Sequence, residues 1–486
     1  MNPTAGALHD GAQYHVQEEA DFVVVGAGAA GATMARWLTA AGRSVVVVEE
    51  GPPAKPATGD GVAALQALYR DAGTTTARGP DPLILLQGRT VGGSSFVSGS
   101  VHAGLPEATW QAWAARDPVW QERLPWQKLE AARERMDQEL AVQKTPRSLL
   151  GEDADALARA MPGQAMATWR GAPGCVGNGR CFVGCPKSGK SSVNVTLLPL
   201  AMQKGARIYS RCAIETIDFR GTRAVGVRGH FDNGYRFQAH ANVAVILAAG
   251  AVQSPGLLLR NGVKGIGDGW TCHPTVVVSG LWHKAISEVG ATQGVDVQLG
   301  QVQGVDIETI RLPTAWRRLT VPGYGATLTE RLDQLAQVVT WQVRLRPEAT
   351  GRVRLGPFSR RPQVEFALTP ADRRAMATGI ALAAEGMLRA GALAAWLQVG
   401  GWPEEIASLK QVHELANRTI QPGALALVAS QLFGGVPTDA RGQVRGLERL
   451  VVADASALPG APGVPPLSLL HAAATVIAQY WVDAQP

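Results

Sequence analysis

Apolar residues along this chain fall into two patterns. Some form short unbroken runs, as in strands buried on both faces, and others recur at helical or alternating spacing. Residues 22–25 and Val45–Val48 are unbroken runs. Between them come Gly26, Ala27, Gly28, Ala29, Ala30 and Gly31, then a helical stretch to about Ala41. The second run ends at Glu49, near the distance at which an acid meets a ribose hydroxyl. Each glycine in this order has a mechanical task. Gly26 makes the tight turn, Gly28 lets a pyrophosphate approach the backbone, and Gly31 lets helix pack closely on strand. The pyrophosphate then lies at a helix N-terminus, where unpaired N–H groups and the macrodipole favour negative charge. Strand, glycines, helix, strand and acid in sequence predict a dinucleotide site.

The pattern then varies. A helical patch covers 62–69, and a loop dense in glycine and serine, residues 88–99, carries Val91, Phe96 and Val97 between its glycines. Such a loop can pass beside a flat ligand and offer it backbone N–H groups. Spacing over 107–142 is helical, with Trp110, Trp113, Trp120 and Trp126 read as core. Two or three strands are predicted over 207–227 and 235–238, and a buried one over 243–247 that runs into 248–255 and a leucine-rich helix. From about 270 to 428 the character changes. Alternation appears at 275–282, 335–346 and Gly351–Leu355, followed by an amphipathic helix over 370–390 that closes at Gly391. Residues 450–456 return to the buried-strand pattern, and a last helix begins at Pro466. The expected fold class is α/β: a Rossmann-like nucleotide-binding domain over 1–269, returning over 429–486, with a split, inserted substrate domain of antiparallel sheet plus helices over 270–428.

Composition narrows the function classes. At 486 residues the chain exceeds a single core, and 46% apolar with 18% charged residues describes a globular protein. No run approaches the length of a membrane span, and the first 20 residues carry neither a basic head nor an apolar stretch, so a cytoplasmic location is expected. The formal charge of +6 is dispersed, without the basic clusters and interleaved aromatics of a nucleic-acid site. Five cysteines make no disulfide framework in a chain this long.

These residues together resemble the glucose–methanol–choline (GMC) family of FAD-dependent oxidoreductases. The resemblance rests on the Gly26 to Gly31 fingerprint with Glu49, the 88–99 loop, the 248–255 segment, His273-Pro274, Asp439 with Gly442-Gln443-Val444, and Asp454-Ala455-Ser456. It implies FAD as cofactor, held by Gly26, Gly28, Gly31, Glu49, Gly92, Gly93, Ser94, Asp454 and the backbone near Ile214 and Pro465. It also implies hydride transfer from an alcohol carbon to flavin N5, with a base for the hydroxyl proton. The family's histidine falls on Gln431, which has no useful pKa, and its asparagine or histidine before a proline falls on Pro465. Ser98 stands where the family commonly has asparagine. His471 and His102 are the substitute candidates for the base, and Gln431 would orient substrate.

Cys175, Cys181 and Cys185 are crowded together, and soft thiolates so spaced could ligate an iron–sulfur cluster. Their spacing looks similar to that of family members carrying a [3Fe–4S] centre, although a tight Gly-Cys-Pro turn without metal is equally a family feature. The expected partners are a small alcohol-like substrate, for which a bulky apolar alcohol fits at least as well as a sugar, and an electron acceptor such as a quinone, a cytochrome or oxygen. Two alternatives remain open: an FAD enzyme of biosynthetic tailoring with rearranged or non-redox chemistry, and a catalytically silent FAD-binding partner subunit.

Overall fold

The computed structural model describes residues 6–57, 61–287, 289–299, 302, 304–415 and 418–483. Among these residues the strands form an eight-stranded and a ten-stranded sheet, with smaller sheets of four and three strands. The eight-stranded sheet begins with Leu8–Asp10, Arg207–Ser210, Val45–Val48, Val16–Val25 and Arg236–Leu247, all parallel, with Leu450–Val452 parallel to Arg236–Leu247. The antiparallel strands Cys212–Arg220 and Arg223–Phe231 complete it. In register, Val25 lies opposite both Val48 and Leu247, and Leu247 opposite Val452. Four strand ends therefore open on one edge of the sheet, the edge where open α/β sheets bind ligands. Helix Ala29–Ala40 covers one face together with the last helix, Leu467–Asp483.

Residues 16–20, with polar Gln17, Glu18 and Glu19 between Val16 and Ala20, extend the first strand, which the sequence pattern started only at 22. Val16–Val25 is a single ten-residue strand because its partner, Arg236–Leu247, continues past the buried part of the sheet with exposed residues at alternate positions. Backbone pairing thus carried the strand beyond its apolar run.

The ten-stranded sheet is organised around Val338–Leu345, paired antiparallel with Thr275–Leu281 on one side and Val305–Thr309 on the other. Val295–Gln298 pairs next to Val305–Thr309. This sheet draws on both sides of residue 269: Thr76–Ala77, Leu83–Leu85 and Met166–Ala167 come from the N-terminal part of the chain, and Leu83–Leu85 lies parallel to Leu427–Ala429. A three-residue strand with one apolar face is too short to announce a sheet in the sequence, so only long-range pairing reveals these.

One face of the second sheet is sealed by helix Pro370–Arg389, whose capping box pairs Thr369 with Asp372. A methyl at Gly379 would stand 2.7 Å from both Val305 and Val343 side chains, so the missing side chain sets how closely helix and sheet approach. Trp341 and Val343 therefore point to the helix. By strand alternation Gln342 and Arg344 point the other way, and the register places Glu308 opposite Gln342 and Asp306 opposite Arg344.

Candidate functional site

The glycine turn is built by contact. Gly26 has φ 106°, and a carbon added there would lie 2.3 Å from Ala248 O. At Gly31 the added carbon would lie 1.9 Å from Gly26 O, so the helix can only close on the strand without it. Gly28 differs: its added carbon meets nothing closer than Gly93 Cα, at 3.9 Å. The second glycine loop docks here, with Gly92 N–H donating to Ala27 O over 2.9 Å. Gly92 and Gly93 both have positive φ, 100° and 52°. Ser94 holds this loop shut by accepting from Gly88 N–H at 3.0 Å. Helix Ala29–Ala40 starts at Gly28 with no side-chain cap and no acid in its first turn. Its first N–H groups are left for an anion.

Glu49 closes the cradle. Its carboxylate accepts from Ala27 N–H and Gly51 N–H, each at 2.8 Å, yet burial pushes it up to about 7. Two backbone donors do not offset the lost hydration, and ribose hydroxyls would supply the missing donors. A cradle that a Cβ would fill, an uncapped helix start and an under-solvated acid together fit the dinucleotide part of FAD. Asp454 takes a different role from a free ligand contact. It accepts from Gly250 N–H and from the Ser254 hydroxyl with one oxygen, and from Ser456 N–H and its hydroxyl with the other. It ties the 250–254 turn to the start of the C-terminal return. Ile214 is buried on its strand, and Pro465 is buried in the loop before the last helix.

Gln431 and His273 come together. They flank two strands, Asp268–Cys272 and Leu432–Phe433, that pair antiparallel with Cys272 opposite Leu432. His273 Nε2 accepts from Gly463 N–H at 3.1 Å, so its proton is on Nδ1, donated to Gln431 Oε1 at 2.6 Å. Burial and the nearby Arg344 push His273 down to about 3, so it stays neutral. His273 thus links Gln431 to the loop holding Pro465. It is an orienting group whose nitrogens are both engaged.

His102 and His471 form a separate buried pair, rings parallel and 6.1 Å apart. His471 Nδ1 meets the Thr33 hydroxyl at 2.8 Å, and burial holds it down at about 3. His102 Nδ1 meets Ser468 Oγ at 3.0 Å, and Ser468 donates to Asp137 at 2.7 Å. These contacts join the first helix, the last helix and helix Trp126–Glu139, and the backbone of His102 bridges Pro466.

The face of the second sheet turned away from helix Pro370–Arg389 carries a group of residues that sequence reasoning missed. Arg344 Nη2 donates to Asp306 at 2.7 Å, and Gln342 and Gln293 both donate to Glu308 Oε2, Gln293 at 2.9 Å. Gln293 lies against Gly99 at the end of the second glycine loop, where an added carbon would strike its Oε1. Burial pushes Glu308 up to about 7 and Asp296 up to about 6. The signal was present in the sequence: Asp306 and Glu308, and Gln342 and Arg344, are polar at alternate positions of otherwise apolar strands.

The expected cysteine centre is corrected. Among the described residues no three His, Cys, Asp or Glu side chains are gathered to hold a metal ion. Arg170 instead directs Nη1 to Cys175 Sγ at 3.6 Å and Nη2 to Cys181 Sγ at 3.4 Å, placing a cation against the sulfurs. Lys190, buried, donates to Phe96 O at 2.6 Å and Ser98 O at 2.8 Å, and Arg170 Nε to Gly99 O at 3.0 Å. The segment braces the glycine loop from behind. All five cysteines are free thiols.

Comparison with known proteins agrees with this architecture. The family models described as GMC oxidoreductase match residues 65–275 and 347–474. An uncharacterized GMC-type oxidoreductase of Mycobacterium tuberculosis is 32% identical over 95% of this chain and 76% of its own length. Another, from Sinorhizobium fredii, is 30% identical over 96% of this chain and 95% of its own. A long-chain-alcohol oxidase of Arabidopsis thaliana is 25% identical over 94% of this chain and 66% of its own. Among solved structures, pyridoxine 4-oxidase from "Mesorbium loti" superimposes with a TM-score of 0.69 at 16% identity, covering 95% of this chain and 98% of that one. No described helix is long and apolar enough to cross a membrane. With its two family models covering most of the length and a 30%-identical relative matched nearly end to end, the chain belongs to the GMC oxidoreductase family of FAD enzymes.

Proposed function

We propose that this enzyme oxidises a CH–OH group of a small, polar alcohol. The observation that carries the reading is the meeting of two glycine loops at Gly28 and Gly93 in front of an uncapped helix, with the polar sheet face reaching Gly99 of the same loop. When bound, the flavin supplies a two-electron hydride acceptor at N5. Gly26, Gly28, Gly31, Glu49, Gly92, Gly93 and Ser94 would hold it, with Asp454 bracing the turn beside them. Gln431, its oxygen fixed by His273, keeps its amide N–H groups for a substrate oxygen. Such a donor orients and polarises but removes no proton. The sheet face of Asp296, Asp306, Glu308, Gln342 and Arg344 favours a donor with polar substituents over a purely apolar one, because an apolar group there would leave buried charges unpaired. Long-chain-alcohol oxidase and pyridoxine 4-oxidase among the similar proteins support a hydroxyl-bearing substrate class.

Pro465 in the family's second catalytic position supports one other reading, a tailoring enzyme or silent subunit that binds flavin without oxidising alcohols. Anaerobic addition of ethanol, glycerol, benzyl alcohol and pyridoxine to the purified yellow protein separates the two. Bleaching of the oxidised flavin bands by any of them is the expected outcome. A spectrum unmoved by the whole panel, in protein with full flavin content, overturns the oxidation reading.

A further inference from the structure

We infer that Glu308 is the proton acceptor for the substrate hydroxyl and that Arg344 steadies the oxygen left behind. The inference rests on the CH–OH reading above and supplies the base which Gln431 cannot.

The placement comes first. Glu308 is 1% exposed and lies on the sheet face opposite helix Pro370–Arg389. Through Gln293 it reaches Gly99 of the glycine loop, and Arg344 lies in register opposite Thr275, two residues beyond the His273 that holds Gln431. The pair therefore stands between the loop expected to carry the flavin and the segment carrying His273 and Gln431.

The unmet atoms come second. Glu308 Oε2 is fully used by Gln342 and Gln293, whereas Glu308 Oε1 is buried without a hydrogen-bond partner. Arg344 Nη2 is used by Asp306, whereas Nη1 is buried without a hydrogen bond, 3.5 Å from Glu308 Oε2. One acceptor and one donor, side by side and sealed from water, carry an unmet demand that natural structures rarely leave in place. A hydroxyl satisfies both: it donates to Oε1 and accepts from Nη1. An ammonium or a carboxylate satisfies only one of them.

The chemistry balances. The O–H bond breaks and its proton passes to Glu308 Oε1. The electron pair left on oxygen forms the C=O bond as the carbon gives up its hydride, for which the flavin, when bound, would be the two-electron acceptor. Arg344 Nη1 stabilises negative charge on the oxygen while the pair is localised there. Groups facing Glu308 tune its readiness. Asp296, from the neighbouring strand, and burial favour the protonated form, Arg344 and the two glutamine amides favour the ionised form, and Asp306 acts through Arg344. The balance leaves the carboxylate near neutrality, suited to receive and release a proton.

Glu308→Gln keeps the shape and removes the base. It is expected to retain flavin and melting temperature while the rate of bleaching by the alcohol that reduces wild type falls by about 100- to 10,000-fold and loses its rise with pH through neutrality. Glu308→Asp, a shorter carboxylate, is expected to recover part of that rate. A readout independent of turnover is the infrared difference between wild type and Glu308→Gln across pH 5–9, expected to contain one protonated-carboxyl band that disappears near neutral pH. If Glu308→Gln bleaches within about threefold of wild type, or if the difference spectrum lacks that band, the assignment is overturned while the oxidation reading stands. If wild type is bleached by none of the alcohols, the oxidation reading fails and takes the base with it.

Discussion

The glycine cradle and the polar face of the second sheet make contact at Gly99, yet they are constructed on opposite principles. The cradle works through side chains that are absent. Its conformation is fixed by backbone contacts at Gly26 and Gly31, with Glu49 accepting from the backbone N–H groups of Ala27 and Gly51 beside them. The sheet face works through side chains that are present, sealed from water and titratable. Added volume should damage the first, and loss of one polar atom the second. The difference also separates binding from chemistry: backbone N–H groups grip an anion at any pH, whereas the buried carboxylates, Glu49 beside the cradle and Glu308 on the sheet face, change state near neutrality.

Within the cradle the two kinds of glycine can be told apart, and the effect there is the largest. Gly31→Ala places a carbon 1.9 Å from a backbone oxygen and is expected to abolish cooperative folding, seen as loss of a melting transition. Gly28→Glu, whose first carbon meets nothing within van der Waals range but Gly93, is expected to fold and melt near wild type yet purify colourless. A yellow Gly28→Glu protein would remove the cradle from the flavin site.

His273 joins the two regions. His273→Leu leaves Gln431 Oε1 and Gly463 N–H without partners, a loss of about 4 kcal/mol at about 2 kcal/mol for each orphaned group, measured by urea unfolding.

The sheet face should show itself in pH dependence. Glu308 sits at about 7 when folded against 4.5 unfolded, so the folded chain binds more protons between those values. Stability from this group is therefore complete below pH 4.5, falls as pH rises to about 7, and is level above. Its span is at most about 3 kcal/mol. Glu49 contributes in the same window when no cofactor occupies the cradle. Urea midpoints of the cofactor-free protein at pH 5 and 8 should differ more for wild type than for Glu308→Gln, and equal slopes would place the proton elsewhere.

The smallest effect is expected behind the glycine loop. With Arg170 between Cys175 and Cys181, Cys175→Ser and treatment with an iron chelator should leave the visible spectrum unchanged, and elemental analysis should find no stoichiometric iron. A broad absorbance lost on chelation would restore a metal to this segment.

Much of the cradle was legible in the residues themselves. The runs 22–25 and Val45–Val48, the glycines between them and Glu49 act locally, so their spacing carries their geometry. The helix over 370–390 was equally plain, because its period and its Gly391 stop are local. Crowded cysteines, by contrast, misled: spacing in sequence gives the length of chain between thiols, not where the sulfurs point or what cation lies against them. Proximity of His471 and His102 to the flavin segments likewise said nothing of their partners, Thr33, Ser468 and Asp137, which arrive from distant helices.

By itself, then, the sequence determined the elements whose physics is local: buried strands from unbroken apolar runs, a tight turn from glycines, a helix that starts at Gly28, and the absence of a histidine at Gln431. Only the tertiary structure decided which polar residues meet. Glu308, Gln293 and Arg344 come from three separate stretches, and strand register brings Glu308 and Arg344 to one face, with the 291–294 turn delivering Gln293 beside them. Burial then supplies what no residue owns alone, because a carboxylate's demand for a partner depends on how much water its neighbours exclude.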